Sequence, residues 1–271
     1  MAGIRKWVRV GSPSGVAINS TATAHLAMGR TYHALLMKFT STLANMSEIR
    51  VVTNGVAIWR LSAEELDELN QHYGRAASGT NGELVLDFDR RGVRARSGAE
   101  LSAIGCAPWN AETNNNAITS LTLEVDFGAG ATPALTVAAY VSQAESAGVM
   151  RKIRPFTHTP PGAATFEIDS FPRQEIILAA HLKSALLTRV RVEVDQKIAH
   201  DLTIEENDRI INDGYDGLVA IADYYHFNPA YDGHASEWLE TAGSTNLLFA
   251  ATVSGATTIN SLVEYLGRLS L

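Results

Sequence analysis

Eight histidines, one cysteine and 29 carboxylates are the side chains of this 271-residue chain best able to ligate metal, move protons or attack a substrate. A cupin-type centre needs two histidines one residue apart on a strand face and a glutamate shortly after, so that three ligands converge. No His-x-His occurs. The stretch YYHFNPAYDGHASEW offers a looser set of candidate metal ligands, His226, Asp232, His234 and Glu237, whose spacing follows no standard ligand arrangement. An aromatic loop with scattered histidines equally suits a subunit interface. The eight carboxylates between Glu193 and Asp216 do not follow the order of an EF-hand loop and read as a solvated face. Gly11 to Gly15 resembles a nucleophile elbow, but Pro13 stands where the serine must be. Gly128-Ala129-Gly130 runs into Thr132-Pro133 with no helix behind it, so it is no dinucleotide fingerprint. Cys106, ahead of Pro108 and Trp109, reads as a packed thiol. No pair of carboxylates is nominated for glycoside hydrolysis.

Two basic clusters remain. Arg5, Lys6 and Arg9 around Trp7 combine cations with an interfacial aromatic, which suits an anionic lipid surface; an ordinary first strand is the competing reading. Arg90, Arg91, Arg94 and Arg96 could form salt bridges between subunits.

The elements that carry these residues are mostly strands. Charged residues make up 19% and hydrophobic ones 46%, the reverse of a disordered composition. A net charge of −7 provides no positive field for nucleic acid. One cysteine suits a reducing compartment such as the cytoplasm, and the N-terminus lacks the apolar run of a secretory signal. The uncharged stretch from Thr241 to Val263 carries too many polar residues for a membrane span. Period-two alternation and β-branched runs predict strands at 6–10, 33–39, 49–53, 56–60, 83–88, 118–127 and 135–141. In the second half they fall at 166–168, 176–182, 189–194, 218–225, 246–253 and 260–266. Asn54-Gly55 predicts a type I′ hairpin turn. Ser62-x-x-Glu65 and Thr203-x-x-Glu206 are capping boxes that open two short helices.

These helices expose an internal duplication. Residues 49–74 align without a gap on 190–215, offset by 141, with six identities in 26 positions and the shared order strand, turn, strand, capped helix. The segment from Leu121 likewise resembles that from Leu247. The chain reads as an all-β protein of two tandem eight-stranded jelly rolls, each with one short helix: 1–152 and 153–271. The joint is placed at MRKIRP, Met150 to Pro155, where basic residues and a proline interrupt the alternation. Low-charge segments at 102–110, 114–120 and 241–245 are candidate subunit contacts.

GRTYHALLMKF at 29–39, MRKIRPF at 150–156, FPRQEIILAAHLK at 171–183 and RVEVDQK at 191–197, in this order in a duplicated chain, resemble the corticovirus major capsid protein. That family is one of the double jelly-roll coats of tailless, membrane-containing icosahedral bacteriophages. The resemblance implies a structural, non-catalytic homotrimer forming pseudo-hexagonal capsomers in the virion capsid, assembled in the host cytoplasm. It implies neighbouring capsomers, penton or vertex proteins, membrane-associated viral proteins and an internal lipid membrane as partners, without direct nucleic-acid contact. It implies no cofactor beyond a structural calcium ion, for which no ligand residue transfers. A carbohydrate-binding β-sandwich protein is the alternative, although aromatics are only 7%.

Overall fold

The computed structural model describes residues 4–78, 82–108, 118–130, 132–213 and 217–269. The first half contains β1 (Lys6–Arg9), β2 (Ser20–His25), β3 (Arg30–Phe39), β4 (Met46–Thr53), β5 (Val56–Leu61), α1 (Ala63–His72), β6 (Glu83–Asp87), α2 (Arg96–Glu100), β7 (Ile104–Gly105), β8 (Leu121–Phe127) and β9 (Leu135–Gln143). The second contains β10 (Val149–His158), β11 (Ala164–Ile168), β12 (Ile176–Lys183), β13 (Leu187–Val194), β14 (Lys197–Thr203), α3 (Ile204–Asp213), β15 (Tyr224–Phe227), β16 (Leu239–Glu240), β17 (Leu247–Val253) and β18 (Ile259–Arg268).

The two lobes have one topology. The N-lobe packs β1-β9-β3-β6 against β2-β8-β4-β5, and the C-lobe packs β10-β18-β12-β15 against β11-β17-β13-β14. Even the short extra strands correspond, β7 on β3 and β16 on β12. Register agrees too: Val51 faces Leu123, and Val192, 141 residues on, faces Phe249, 126 residues on. This is the double jelly roll expected from the duplication. Among the described residues every strand pairing is antiparallel except one, where β5 and β10 meet in parallel at Trp59 and Ile153 and join half of each lobe into a nine-stranded sheet.

The duplicated turn does the same work twice. Asn54 and Gly55 have φ of 49° and 80°, and Asp195 and Gln196 have 48° and 66°, the left-handed pair that a two-residue I′ turn demands. Asn54 Oδ1 accepts from the Thr119 and Ser120 amides and the Thr119 hydroxyl; Asp195 Oδ1 accepts from the Thr245 and Asn246 amides and the Thr245 hydroxyl. Both capping boxes close, at Ser62 with Glu65 and at Thr203 with Glu206.

The structure corrects three local expectations. MRKIRP does not interrupt a strand; it lies inside β10, which runs through residues 152 and 153. Two of its three charges are buried with partners, Arg151 on Glu264 and Lys152 on Glu175, while Arg154 is exposed, and beyond Ile153 the strand pairs with β18 alone, so Pro155 forfeits no second ladder bond. Residues 218–223 form no strand, because their apolar side chains pack on the other lobe: Leu218 belongs to the N-lobe core, and the Val219 amide donates to the His72 carbonyl. β2 (STATAH) and α2 went unforeseen, since one lacks large apolar residues and the other spans five residues. No helix among the described residues is long and apolar enough to cross a membrane.

Candidate functional site

Buried polar residues concentrate where the lobes meet. α1 ends in Tyr73 and Gly74, and Gly74 has φ +72° with its α-carbon against the Gly217 carbonyl; an added Cβ would lie 2.7 Å from that oxygen. The Gly74 amide donates to Gln71 O and the Arg75 amide to Asn70 O, a Schellman closure that presents His72 and Tyr73 to the C-lobe.

Glu264 of β18 is the centre of the junction and has no solvent exposure. Arg151 donates to it through Nε (3.0 Å) and Nη2 (2.7 Å), Tyr73 through its hydroxyl (3.0 Å), and Arg90 Nε lies 3.6 Å away. Burial alone would raise this carboxyl; Arg151 and Arg90 outweigh it and hold it well below the usual carboxylate range. Arg151 also lies over the Trp59 ring, 5.0 Å from its centroid, while Trp59 Nε1 donates to the Arg151 carbonyl.

Three buried histidines flank Glu264. The Ile221 amide donates to His226 Nε2 (3.3 Å), so His226 carries its proton on Nδ1 and gives it to His181 Nδ1 (2.8 Å); His181 Nε2 then donates to Glu264 Oε1 (3.1 Å). His72 Nδ1 donates to the Val219 carbonyl (2.8 Å), which leaves Nε2 buried without a partner. All three are held neutral. Burial lowers each of them, His72 to about 3, with His181 adding to the effect on His72, and His72 to that on His226.

These histidines form the one group of three potential metal ligands among the described residues, each offering a nitrogen within 4.8 Å of the others. The arrangement does not suit an ion. His72 and His226 stack with centroids 3.8 Å apart and planes inclined by 18°, so their in-plane lone pairs do not converge on one point. Two guanidiniums against one carboxylate leave the surroundings positive, and calcium would need six or more oxygen ligands. The cluster serves instead as a neutral hydrogen-bonded joint between lobes.

Of the four metal candidates read from the sequence, only His226 lies in this cluster. Asp232, His234 and Glu237 occupy the loop after β15, with His234 and Glu237 exposed and His234 Nε2 3.8 Å from Asp232. Among the basic N-terminal residues, Arg5 is engaged internally by Asp89 (3.0 Å) and Glu100, whereas Lys6, Trp7 and Arg9 are exposed and Trp7 stacks on Tyr140. Arg90 is buried at the junction, and Arg96 pairs with Glu100 inside the subunit. Ser102 and Thr241, expected in subunit contacts, are fully buried within it; residues 109–117 lie outside the described residues. Cys106 is buried, which pushes its thiol up to about 12 and makes it a poor nucleophile. His72, His181 and Glu264 were missed because they lie in three different elements, separated by more than 80 residues.

Known proteins share this architecture. Models of one sequence family match in order: viral coat protein P2 N-terminal domain over residues 8–142 and viral coat protein P2 C-terminal domain over 150–269. A search of curated proteins finds no match. The major capsid protein P2 of bacteriophage PM2 superimposes with a TM-score of 0.88 at 20% identity, over 98% of each chain. The structure of Sulfolobus turreted icosahedral virus contains a chain that matches at TM-score 0.73 and 8% identity, over 98% of this chain and 92% of that one. A PBCV-1 virus capsid chain matches at TM-score 0.62 and 7% identity, over 99% and 97%. With both domains matched in sequence order and two lobes of one topology, the chain belongs to the viral coat protein P2 family.

Proposed function

We propose that the protein is the major coat subunit of an icosahedral virion, assembled in the host cytoplasm as homotrimers that act as pseudo-hexagonal capsomers over an internal membrane. The observation that carries this reading is the repeat of one eight-stranded topology in two lobes joined edge to edge. Three chains with two like lobes each present six similar units to six neighbours, and covalent linkage keeps their numbers equal. Neighbouring capsomers, vertex proteins and membrane-associated viral proteins are the partners such a shell requires. The role is structural, and the depressed His72, His226 and Glu264 serve the lobe junction.

A sugar-binding sandwich has less support, because Trp7 and Tyr231 are the only exposed large aromatics among the described residues and supply no stacking platform. Sizing of the purified chain with light scattering tests the proposal. A mass of three chains, and hexagonal capsomers by electron microscopy, are expected; a monomer whose elution shifts with added glycans would sink it.

A further inference from the structure

Each lobe has two edge strands at matching places in the shared topology, and one such pair is already joined within the chain. β5 ends the N-lobe sheet β2-β8-β4-β5, β10 begins the C-lobe sheet β10-β18-β12-β15, and they meet in parallel at Trp59 and Ile153. Their counterparts are β14 in the C-lobe and β1 in the N-lobe. Both end their sheets without a second neighbour among the described residues. An open edge is a template for another strand.

Register identifies the equivalent residues. Val51 faces Trp59 as Val192 faces His200, so His200 takes the place of Trp59. The bulge of β12 opposite Tyr265 and Glu264 matches that of β3 opposite Val141 and Tyr140, so the β9 counterpart of Glu264, which faces Ile153, is Tyr140, which faces Trp7. By the same route Lys6 takes the place of Lys152. The joined pair sets Ile153 opposite Trp59; the open pair offers Trp7 and His200 at the same two places.

Burial separates the joined pair from the open one. Ile153 and Trp59 are 0% and 1% exposed, whereas Trp7 on β1 is 52% exposed and Ile198 on β14 is 60% exposed. Beside β14 lies a cavity of about 440 Å³ whose walls include His200, Leu202, Ile211, Tyr231 and Glu237. Charge is complementary. Lys6 and Arg9 on β1 have no ion-pair partner among the described residues, and neither do Glu205 and Asp208 on α3, which directly follows β14; one Asp208 oxygen is buried without a hydrogen bond.

We propose that β1 of one copy docks in parallel beside β14 of the next, with Trp7 opposite His200, repeating between chains the contact that β5 and β10 make within one. The contact is head-to-tail, and three copies close it into a ring of six lobes. It rests on the coat-subunit reading and names the surface that reading needs. The loop of Tyr231 and Glu237 then belongs to the interface, and Lys6, Trp7 and Arg9 face another chain in preference to lipid.

Paired cysteines test the contact on the full chain. Neighbouring strands lie about 4.8 Å apart, within reach of a disulfide, and the native Cys106 is buried. Trp7→Cys with His200→Cys should yield disulfide-linked trimers on mild oxidation, and neither single variant should. A trimer by light scattering that never cross-links overturns the contact while leaving the coat reading intact; a wild-type chain that stays monomeric overturns both. In a second arm, Lys6→Glu with Arg9→Glu should raise the trimer dissociation midpoint at least tenfold. Unchanged trimers that lose flotation with anionic phosphatidylserine vesicles would assign these residues to lipid and overturn the proposal.

Discussion

Glu264 shows how much depends on one buried side chain. It accepts from Arg151 and Tyr73 and faces Arg90 and His181, each brought by a different element. Truncation would strand two guanidiniums in the interior. Glu264→Ala is expected to lower unfolding stability by about 3–5 kcal/mol, read as a drop in the urea midpoint. The histidines beside it set the acid response. Burial holds His72 near 3, against 6.5 when free, so between those values the unfolded chain binds more protons than the folded one. Stability therefore falls as pH drops below about 6.5, and His181, His226 and the depressed Glu264 act in the same sense. Melts from pH 8 to pH 4 should show it, with His72→Phe, which keeps a stacked ring but no titrating nitrogen, flattening the decline. Identical slopes would exclude His72 as a source. None of this was legible in the sequence, where His72, His181 and Glu264 sit in three distant segments.

Helix caps and turns repeat at the element scale because each lobe must start its helix directly after a hairpin. Ser62→Ala and Thr203→Ala should each cost about 1 kcal/mol, measurable by chemical denaturation; a large inequality would show that the two caps no longer do the same work. These elements were readable, since capping boxes and I′ turns are local devices whose hydrogen bonds close within a few residues. β10 was not readable as a strand. Arg151 and Lys152 look like linker residues until Glu264 and Glu175 arrive from elsewhere to pair with them.

For the whole molecule, the two lobes share more than a peptide connection. The N-lobe core takes in Met150, Ile153, Ile211, Leu218 and Leu262 from the second half, and one sheet crosses the joint. Melting should therefore be a single cooperative transition in calorimetry, and residues 150–269 expressed alone should expose those side chains and fail to give a cooperative melt. Two well-separated transitions, or a stable isolated C-lobe, would contradict this coupling.

The sequence by itself determined the duplication, the strand-rich class, the paired turns and caps and the resemblance to double jelly-roll coats, because alternation, caps and repeat spacing are written in neighbouring residues. Only the tertiary structure decided which edges are joined and which stay open, and which lone histidines and charges meet. Strand order and lobe contacts arise between residues far apart in the chain, and no local periodicity encodes which distant side chain will neutralise a buried charge.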